Sequence, residues 1–191
     1  NTLQLNNGNG TFSEIGQLAG LAKTEWSWSA LFADFDNDGY NDLLVTNGID
    51  KEMMNQDLWK STSSKGVEAY YSALAKLPKS RSQNRLFRNN GDLTFENVSS
   101  EWGFKSKINS NGAAYADLDN DGDLDLIINN SDTLSSIFEN IQQKTNHYLD
   151  LQFEGPDQNK FAIGTKATVY TSSGLQVKEL FPVRGFQSSV S

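Results

Sequence analysis

Apolar residues in this chain occur in short runs, separated by polar turns that contain glycine. Runs of this kind lie at residues 30–33, 43–45, 86–88, 113–116 and 124–128. They are too short for stable helices and are rich in β-branched or aromatic residues, which is typical of strands. Since the 191 residues also include 15 Gly and only 3 Pro, the pattern predicts an all-β protein of short strands and tight turns.

An internal repeat organises these runs. Residues 6–12 and 89–95 both read Asn-Asn-Gly-x-x-Thr-Phe, which gives an offset of 83 residues. A third copy begins at Ile137, where Ile-Phe-Glu-Asn resembles the Leu-Phe-Arg-Asn that leads into the second turn. The sequence therefore predicts one repeat unit at residues 1–49, and a second unit with the start of a third at residues 86–142.

Residues 50–85 interrupt the repeat and have a helical pattern. Asp50 can cap a helix that runs toward Trp59, and a loop is predicted at residues 61–64. A second helix is predicted from apolar and aromatic residues at helical spacing, and Pro78 ends it. Those residues are Val67, Tyr70, Tyr71, Leu74 and Leu77. We predict a helical insertion laid against the repeat units, with its aromatic stripe used for packing.

The sequence pattern changes again after Gln142. Residues 148–153, 166–170 and 176–180 alternate apolar and polar side chains or otherwise read as strands. A Gly-Pro sequence and a Ser-Ser-Gly sequence between them supply turns. We predict that residues 143–191 form a small, separate β module.

Two nine-residue segments with the same spacing of carboxylates carry the candidate chemistry. Each places Asp at loop positions one, three, five and nine, and Gly at position six. The carboxylates are Asp34, Asp36, Asp38 and Asp42 in the first loop, and Asp117, Asp119, Asp121 and Asp125 in the second. Alternating carboxylates can turn toward one hard cation, and the glycine permits a tight reversal. Asp-Asn-Asp-Gly is also ordinary turn chemistry, but two copies with one spacing favour two calcium sites.

The residues that flank these loops distinguish between two calcium architectures. An EF-hand has a helix on each side of its loop and an acidic residue at loop position twelve. That position holds Val45 after the first loop and Ile128 after the second, within runs predicted to be strands. Both loops are therefore predicted to connect strands, which excludes an EF-hand.

The acidity of the chain is concentrated in the same two loops. The formal net charge is −8, and the loops contain nine Asp, so the rest of the chain is nearly neutral. No basic stripe is present that could neutralise phosphates, which argues against nucleic-acid partners. The absence of cysteine excludes disulfides and thiolate sites, and no apolar run is long enough to predict a transmembrane segment. Because the chain opens at Asn1 inside a repeat, we treat it as a piece of a longer protein.

The combination of an Asn-Asn-Gly…Thr-Phe turn with an Asp-x-Asp-x-Asp-Gly-x-x-Asp loop between strands resembles FG-GAP-like (VCBS) repeats. These repeats form the β-propeller blades of integrin α-subunits and of many bacterial surface proteins. The tail, with Gly164-Thr165 and Gly185-Phe186, resembles the start of an ASPIC and UnbV domain, and the whole arrangement is similar to bacterial (Bacteroidetes) members of the cartilage acidic protein family. The resemblance implies a partial propeller, because two units and part of a third cannot close a ring.

The resemblance also implies a ligand set for two calcium ions. The four carboxylates of each loop would bind by side chain, together with the backbone carbonyl of Tyr40 in the first loop and of Asp123 in the second. Open loops of this kind typically bind calcium in the roughly 10⁻⁴ to 10⁻³ M range of extracellular modules. We therefore expect an exported protein in the periplasm, on the cell surface or outside the cell.

The sequence predicts no catalytic and no organic cofactor-binding residue. His147 is the only histidine and is interpreted as structural, and Trp26 and Trp28 are interpreted as core residues in preference to glycan contacts. The expected function is a non-catalytic, calcium-stabilised scaffold for binding or adhesion, with a protein or carbohydrate as its partner. The alternative is part of a polysaccharide-active enzyme, or a carbohydrate-binding protein, in which the calcium is structural.

Overall fold

A computed structural model of the chain describes residues 1–51, 56–141, 146–171 and 174–186. Their regular structure is mostly β, in small antiparallel sheets. The strands are β1 (Gln4–Asn6), β2 (Phe12–Glu14), β3 (Ser27–Ala33), β4 (Asp42–Asn47), β5 (Arg85–Asn89), β6 (Phe95–Asn97), β7 (Ser110–Ala116), β8 (Asp125–Asn130), β9 (Ser136–Phe138), β10 (Lys166–Thr171) and β11 (Gly174–Glu179). The helices are α1 (Gln56–Thr62) and α2 (Val67–Ala75), with 3₁₀ turns at Ser63–Lys65 and Asp157–Asn159. The predicted β class with a helical insertion is confirmed.

The four-stranded sheet has the order β3-β4-β5-β6. Strands β3 and β4 flank the first acidic loop, while β5 and β6 form the hairpin around the second Asn-Asn-Gly turn. In the register, Leu44 of β4 lies opposite Leu31 of β3 on one side and Leu86 of β5 on the other. This sheet, which we call the first blade, therefore joins the second half of one sequence repeat to the first half of the next.

A three-stranded sheet, β7-β8-β9, repeats this arrangement around the second acidic loop. Ala116 pairs with Asp125 as Ala33 pairs with Asp42, and β9 pairs with β8 as β5 pairs with β4. We call this sheet the second blade. Both acidic loops thus connect antiparallel strands, as the apolar residues at loop position twelve predicted.

The main core lies between the two blades. Strand β4 is buried along its whole length because both of its faces are covered. On one face, Leu44 packs in a cluster with Ile128 of the second blade. On the other face, Leu43 packs in a cluster with Ala19 and Leu21 from the segment that follows β2. Full burial of a side chain such as Leu44 stabilises the fold by about 1.5–3 kcal/mol.

The insertion between β4 and β5 contains both helices, and its aromatic residues pack on one another. The Tyr70 ring meets the Trp59 ring edge to face, with 5.8 Å between their centroids, and meets the Tyr71 ring in the same way at 5.6 Å. Trp59 and Tyr71 are nevertheless 61% and 63% exposed, so the packing of this stripe against the repeat units stays a prediction. At the base of the insertion, the Ser80 N–H donates to the Asp50 carbonyl.

One prediction about the insertion is wrong, and another lies outside the described residues. Residues 61–64, predicted to be a loop, belong to the end of α1 and the 3₁₀ turn that follows it. The hydroxyls of Ser61 and Thr62 donate to the Leu58 carbonyl, at 2.9 and 2.6 Å, so these polar residues are satisfied within the helix. Residues 52–54 of the first predicted helix are not among those described.

The C-terminal region contains the hairpin β10–β11, with Thr168 opposite Val177, where two strands were predicted. The strand predicted at residues 148–153 is wrong, because these residues have no regular structure. No described strand pairs with them, and an unpaired strand is not stable in water. Tyr148, which opens this segment, instead places its ring against the second acidic loop, beside Gly122.

The end of the described chain packs on the first blade. The Phe186 ring stacks on the Trp28 ring of β3, with 5.6 Å between their centroids. A side chain at Gly185 would meet Ser29 and Leu31, since an added Cβ would lie 2.7 Å from the Ser29 hydroxyl oxygen and 2.9 Å from a Leu31 methyl carbon. The C-terminal region is therefore in close contact with the blades.

Candidate metal centres

The first acidic loop runs from the end of β3 to the start of β4 and curls tightly. Asn37 has a φ of 55° and Gly39 a φ of 96°, so the backbone enters the left-handed region twice. This curl brings Asp34, Asp36 and Asp42 together, with one carboxylate oxygen of each within 4.8 Å of the others. The three side chains converge as the spacing predicted.

Backbone N–H groups of the loop hold these carboxylates in place. The two oxygens of Asp34 accept hydrogen bonds from the N–H groups of Asp38 and Gly39, at 3.0 and 2.9 Å. Asp36 accepts from the Asp38 N–H at 3.3 Å. The Asp38 side chain accepts from the N–H of Tyr40 at 2.8 Å and is not in the converging group. The ligand roles of Asp38 and of the Tyr40 carbonyl remain predictions.

The second loop has the same curl, with a φ of 60° at Asn120 and of 94° at Gly122. Asp117, Asp119 and Asp121 converge within 4.8 Å. The two Asp117 oxygens accept from the N–H groups of Asp121 and Gly122, each at 3.0 Å, as Asp34 does in the first loop. The hydrogen-bond pattern around loop position one is therefore the same in both copies.

The two loops differ at position seven. The first loop has Tyr40, which is exposed, and the second has Asp123, which is only 2% exposed. The Asp123 N–H donates to Asp121 at 3.2 Å. Only a carbonyl role was predicted for Asp123, so its buried carboxylate is a feature that the sequence reasoning missed. The sequence does show this difference, because Asp123 is the one carboxylate of the second loop that has no counterpart in the first.

The aspartate at loop position nine ties each loop to the next strand. Asp42 is fully buried and accepts from the Phe35 N–H at 3.0 Å and from the Asn89 N–H, at the end of β5, at 2.9 Å. Asp125 accepts from the Leu118 N–H at 2.9 Å and from the Asn140 N–H, just after β9, at 2.8 Å. Asp125 is not in the converging group of the second loop, so its ligand role remains a prediction.

Burial makes the negative charge of the first loop unfavourable. Desolvation raises the pKa of Asp42 to about 7, against the lowering effect of the hydrogen bonds from Asn89 and Phe35. Desolvation is also the largest cause of the raised pKa of Asp34 and of Asp36, and repulsion from the Asp38 carboxylate adds to it. A bound cation would favour the ionised form of these groups.

The donor set fits calcium. Carboxylate and carbonyl oxygens are the ligands of hard cations, and calcium binds them at about 2.3–2.6 Å. Two oxygens on opposite sides of such an ion are therefore up to about 5 Å apart, which accommodates the 4.8 Å limit found in both groups. Asp34, Asp36 and Asp42 could hold one ion, and Asp117, Asp119 and Asp121 a second.

The two loops touch each other. The Asn37 side-chain amide donates to the Gly122 carbonyl at 3.2 Å, and the Asn140 amide donates to the Phe35 carbonyl at 2.8 Å. Both bonds run between the first loop and the second blade. The two candidate metal centres therefore lie next to each other in the structure.

The tryptophans and the histidine that the sequence singled out lie in different surroundings. Trp28 donates its indole N–H to the Gly48 carbonyl at 2.6 Å and stacks on Phe186, so its predicted packing role is confirmed. Trp26 lies just before β3 and is 43% exposed, so its predicted position in the core is wrong. His147 is exposed in the irregular segment before β10, and its structural role stays a prediction. Trp102, by contrast, lines a groove of about 540 Å³ between the blades, which the sequence did not indicate.

Comparison with protein families agrees with this architecture. The FG-GAP-like repeat family matches residues 1–45 and 70–128, and the ASPIC and UnbV family matches residues 155–191. A comparison with curated proteins finds no match. Among the described residues, no helix has the length and apolar character needed to cross a membrane. FG-GAP-like repeats form propeller blades and are typical of extracellular and cell-surface proteins. Since the first match covers more than half of the sequence, the chain belongs to the FG-GAP-like repeat family, and it continues into an ASPIC and UnbV segment.

Proposed function

We propose that this chain is a non-catalytic propeller segment, stabilised by two calcium ions, that acts as a binding or adhesion scaffold in an exported protein. The observation that carries the proposal is the repetition of one geometry. Each loop brings three carboxylates within 4.8 Å, and in each the ninth carboxylate is fastened to the following strand. An ordinary Asp-Asn-Asp-Gly turn that binds no metal does not require its carboxylates to converge.

The ions would act as clasps between strands. In the first blade, the loop leaves β3 and its ninth residue, Asp42, is the first residue of β4 and a hydrogen-bond acceptor for β5. A cation bound to Asp34, Asp36 and Asp42 would therefore fasten the start of the loop to the middle of the blade. It would also offset the repulsion among carboxylates that the fold brings together.

The proposed location and the lack of catalysis follow from the same sites. Loops of this openness need a calcium-rich compartment to be filled, so the periplasm, the cell surface or the extracellular space is proposed. The converging carboxylates are assigned to calcium, and a metal-bound carboxylate is a poor general acid. The bound partner would be a protein or a carbohydrate held by the rigid blades.

A calcium titration by isothermal calorimetry tests the proposal. We expect two calcium ions per chain, because there are two converging groups of carboxylates. Asp36→Asn should weaken the first site and Asp119→Asn the second, because an amide is an uncharged calcium ligand. At calcium concentrations that just fill the wild-type sites, each single variant should therefore bind about one ion, and the double variant almost none.

Asp92→Asn is a matched control for these substitutions. The Asp92 side chain accepts from the N–H and hydroxyl of Thr94 in the β5–β6 turn, at 3.0 and 2.5 Å. Asn9 makes the equivalent bonds to Thr11 in the β1–β2 turn, at 3.1 and 2.6 Å, so an asparagine is already accommodated there. The control should still bind two ions. A wild-type chain that binds no calcium at millimolar concentration would contradict the proposal.

A further inference from the structure

The C-terminal hairpin places a lysine beside the first acidic loop. The ammonium of Lys178, on β11, donates to the Asn41 side-chain oxygen at 2.5 Å. Gln176 lies two residues earlier on the same face of the strand, and its amide nitrogen is 2.7 Å from the place that a Cβ on Gly39 would occupy. Two side chains of one strand therefore rest on loop positions six and eight.

The charge of Lys178 also affects Asp34, which is one of the proposed ligands. Burial raises the pKa of Asp34 and hydrogen bonding from Gly39 opposes this, while the Lys178 ammonium acts to lower it. In return, desolvation lowers the pKa of Lys178 and the Asp34 carboxylate acts to raise it. The Lys178 ammonium and the Asp34 carboxylate therefore each favour the charged form of the other.

The second loop has different surroundings at the equivalent place. Its position-six glycine, Gly122, is covered by the uncharged ring of Tyr148. Its position eight is Leu124, where the first loop has the Asn41 that binds Lys178. The second loop also carries the additional carboxylate of Asp123. The two loops therefore share a ligand pattern but not a charge environment.

We infer that Lys178 is a built-in competitor of the cation in the first loop, so that the two loops bind calcium with different affinities. This inference rests on the proposed calcium function. A fixed positive charge about 8 Å from a divalent ion weakens its binding about fivefold even at the dielectric constant of water. By linkage, an ion in the first loop weakens the hold of Lys178 on that loop to the same degree. The C-terminal hairpin and the first metal centre are therefore coupled.

Calcium titration calorimetry of Lys178→Met at low ionic strength tests the inference. The substitution keeps most of the aliphatic stem and removes the charge, and both Lys178 and its partner Asn41 are exposed, so the fold should persist. We expect the weaker of the two calcium affinities to rise about fivefold and the stronger to stay unchanged. The difference from wild type should shrink in high salt, because salt screens the repulsion.

Lys166→Met is the matched control, because Lys166 lies on the neighbouring strand β10 and pairs with Glu179 at 3.4 Å. It should change either affinity much less than Lys178→Met does, because the Lys166 charge is already paired with the Glu179 carboxylate. Asp36→Asn and Asp119→Asn in the Lys178→Met background identify the affected site, which should be the one that Asp36→Asn weakens. Two bound ions whose affinities do not respond to Lys178→Met, or respond equally at both sites, would overturn the inference and leave the proposed function standing. A chain without calcium binding would overturn both.

Discussion

At the scale of single residues, the ninth position of each loop has two tasks. Both oxygens of Asp42 accept backbone hydrogen bonds, yet a carboxylate oxygen has a further lone pair that can ligate a cation. The same residue can therefore fasten the loop to the next strand and take part in a metal centre. Asp125 fastens the second loop in the same way.

Gly122→Ala should destabilise the fold more than Gly103→Ala does. The two glycines have φ angles of 94° and 93°, so an alanine at either should cost about 1 kcal/mol through backbone strain. An added Cβ at Gly103 meets nothing within 4 Å, whereas at Gly122 it would lie 2.0 Å from a Tyr148 ring carbon. We expect Gly122→Ala to lower the free energy of unfolding by about 1 kcal/mol more, measured by urea unfolding in chelator.

The Tyr148→Ala variant tests whether the Tyr148 ring is the reason for this difference in stability. In the Tyr148→Ala background the ring is absent, so the two glycine substitutions should cost the same. If Gly122→Ala and Gly103→Ala are equally destabilising in the wild-type chain, then the Tyr148 ring does not rest on the second loop as described.

The sequence predicted the convergence of the carboxylates but not the partners that hold them. Regular spacing of Asp and Gly is visible in the sequence, and it brought together Asp34, Asp36 and Asp42 as expected. The partner of Asp42 is the backbone N–H of Asn89, 47 residues away. Every residue except proline has such a group, so only the pairing of β4 with β5 could reveal which one is used.

At the scale of secondary-structure elements, burial is very different on neighbouring strands of one blade. Ile128 of β8 is fully buried between the blades, while Ile137 of β9 is 68% exposed. Ile128→Ala should therefore lower the free energy of unfolding by about 2–5 kcal/mol, because it removes buried methyl groups and leaves a cavity. Ile137→Ala should change it by less than about 1 kcal/mol.

Chemical denaturation of the two variants measures this difference. An Ile137→Ala effect as large as that of Ile128→Ala would show that β9 is covered on its outer face, contrary to the described exposure. Similar small effects for both variants would contradict the position of the core between β4 and β8.

Elements were predictable where apolar periodicity was supported by a neighbouring strand. Strands β3, β4, β7 and β8 follow from the runs beside each loop, and each has a partner of its own repeat. The alternation at residues 148–153 is equally strand-like, but no described strand pairs with it. Residues 61–64 were misassigned because their serines and threonine favour loops in general, and the bonds to Leu58 that keep them helical depend on the structure.

At the scale of the whole molecule, the acidic loops lie where three parts of the chain meet. The first loop bonds to the second blade through Asn37 and Asn140, and to the C-terminal hairpin through Asn41. The Asn146 side chain also donates to the Asp36 carbonyl at 3.3 Å. Ions in these loops would therefore stabilise contacts between blades and with the C-terminal region, in addition to the strands beside each loop.

Thermal unfolding with and without calcium tests the central claim most directly. At free calcium ten times each dissociation constant, each site adds about 1.4 kcal/mol to stability, which for a chain of this length corresponds to a total increase in Tm of about 6–12 °C. The Asp36→Asn, Asp119→Asn double variant should lose most of this increase, and Asp92→Asn should keep it. We expect calcium to raise the Tm of the wild-type chain relative to chelator. Equal melting temperatures in excess calcium and in chelator would contradict the role of the two loops as calcium clasps.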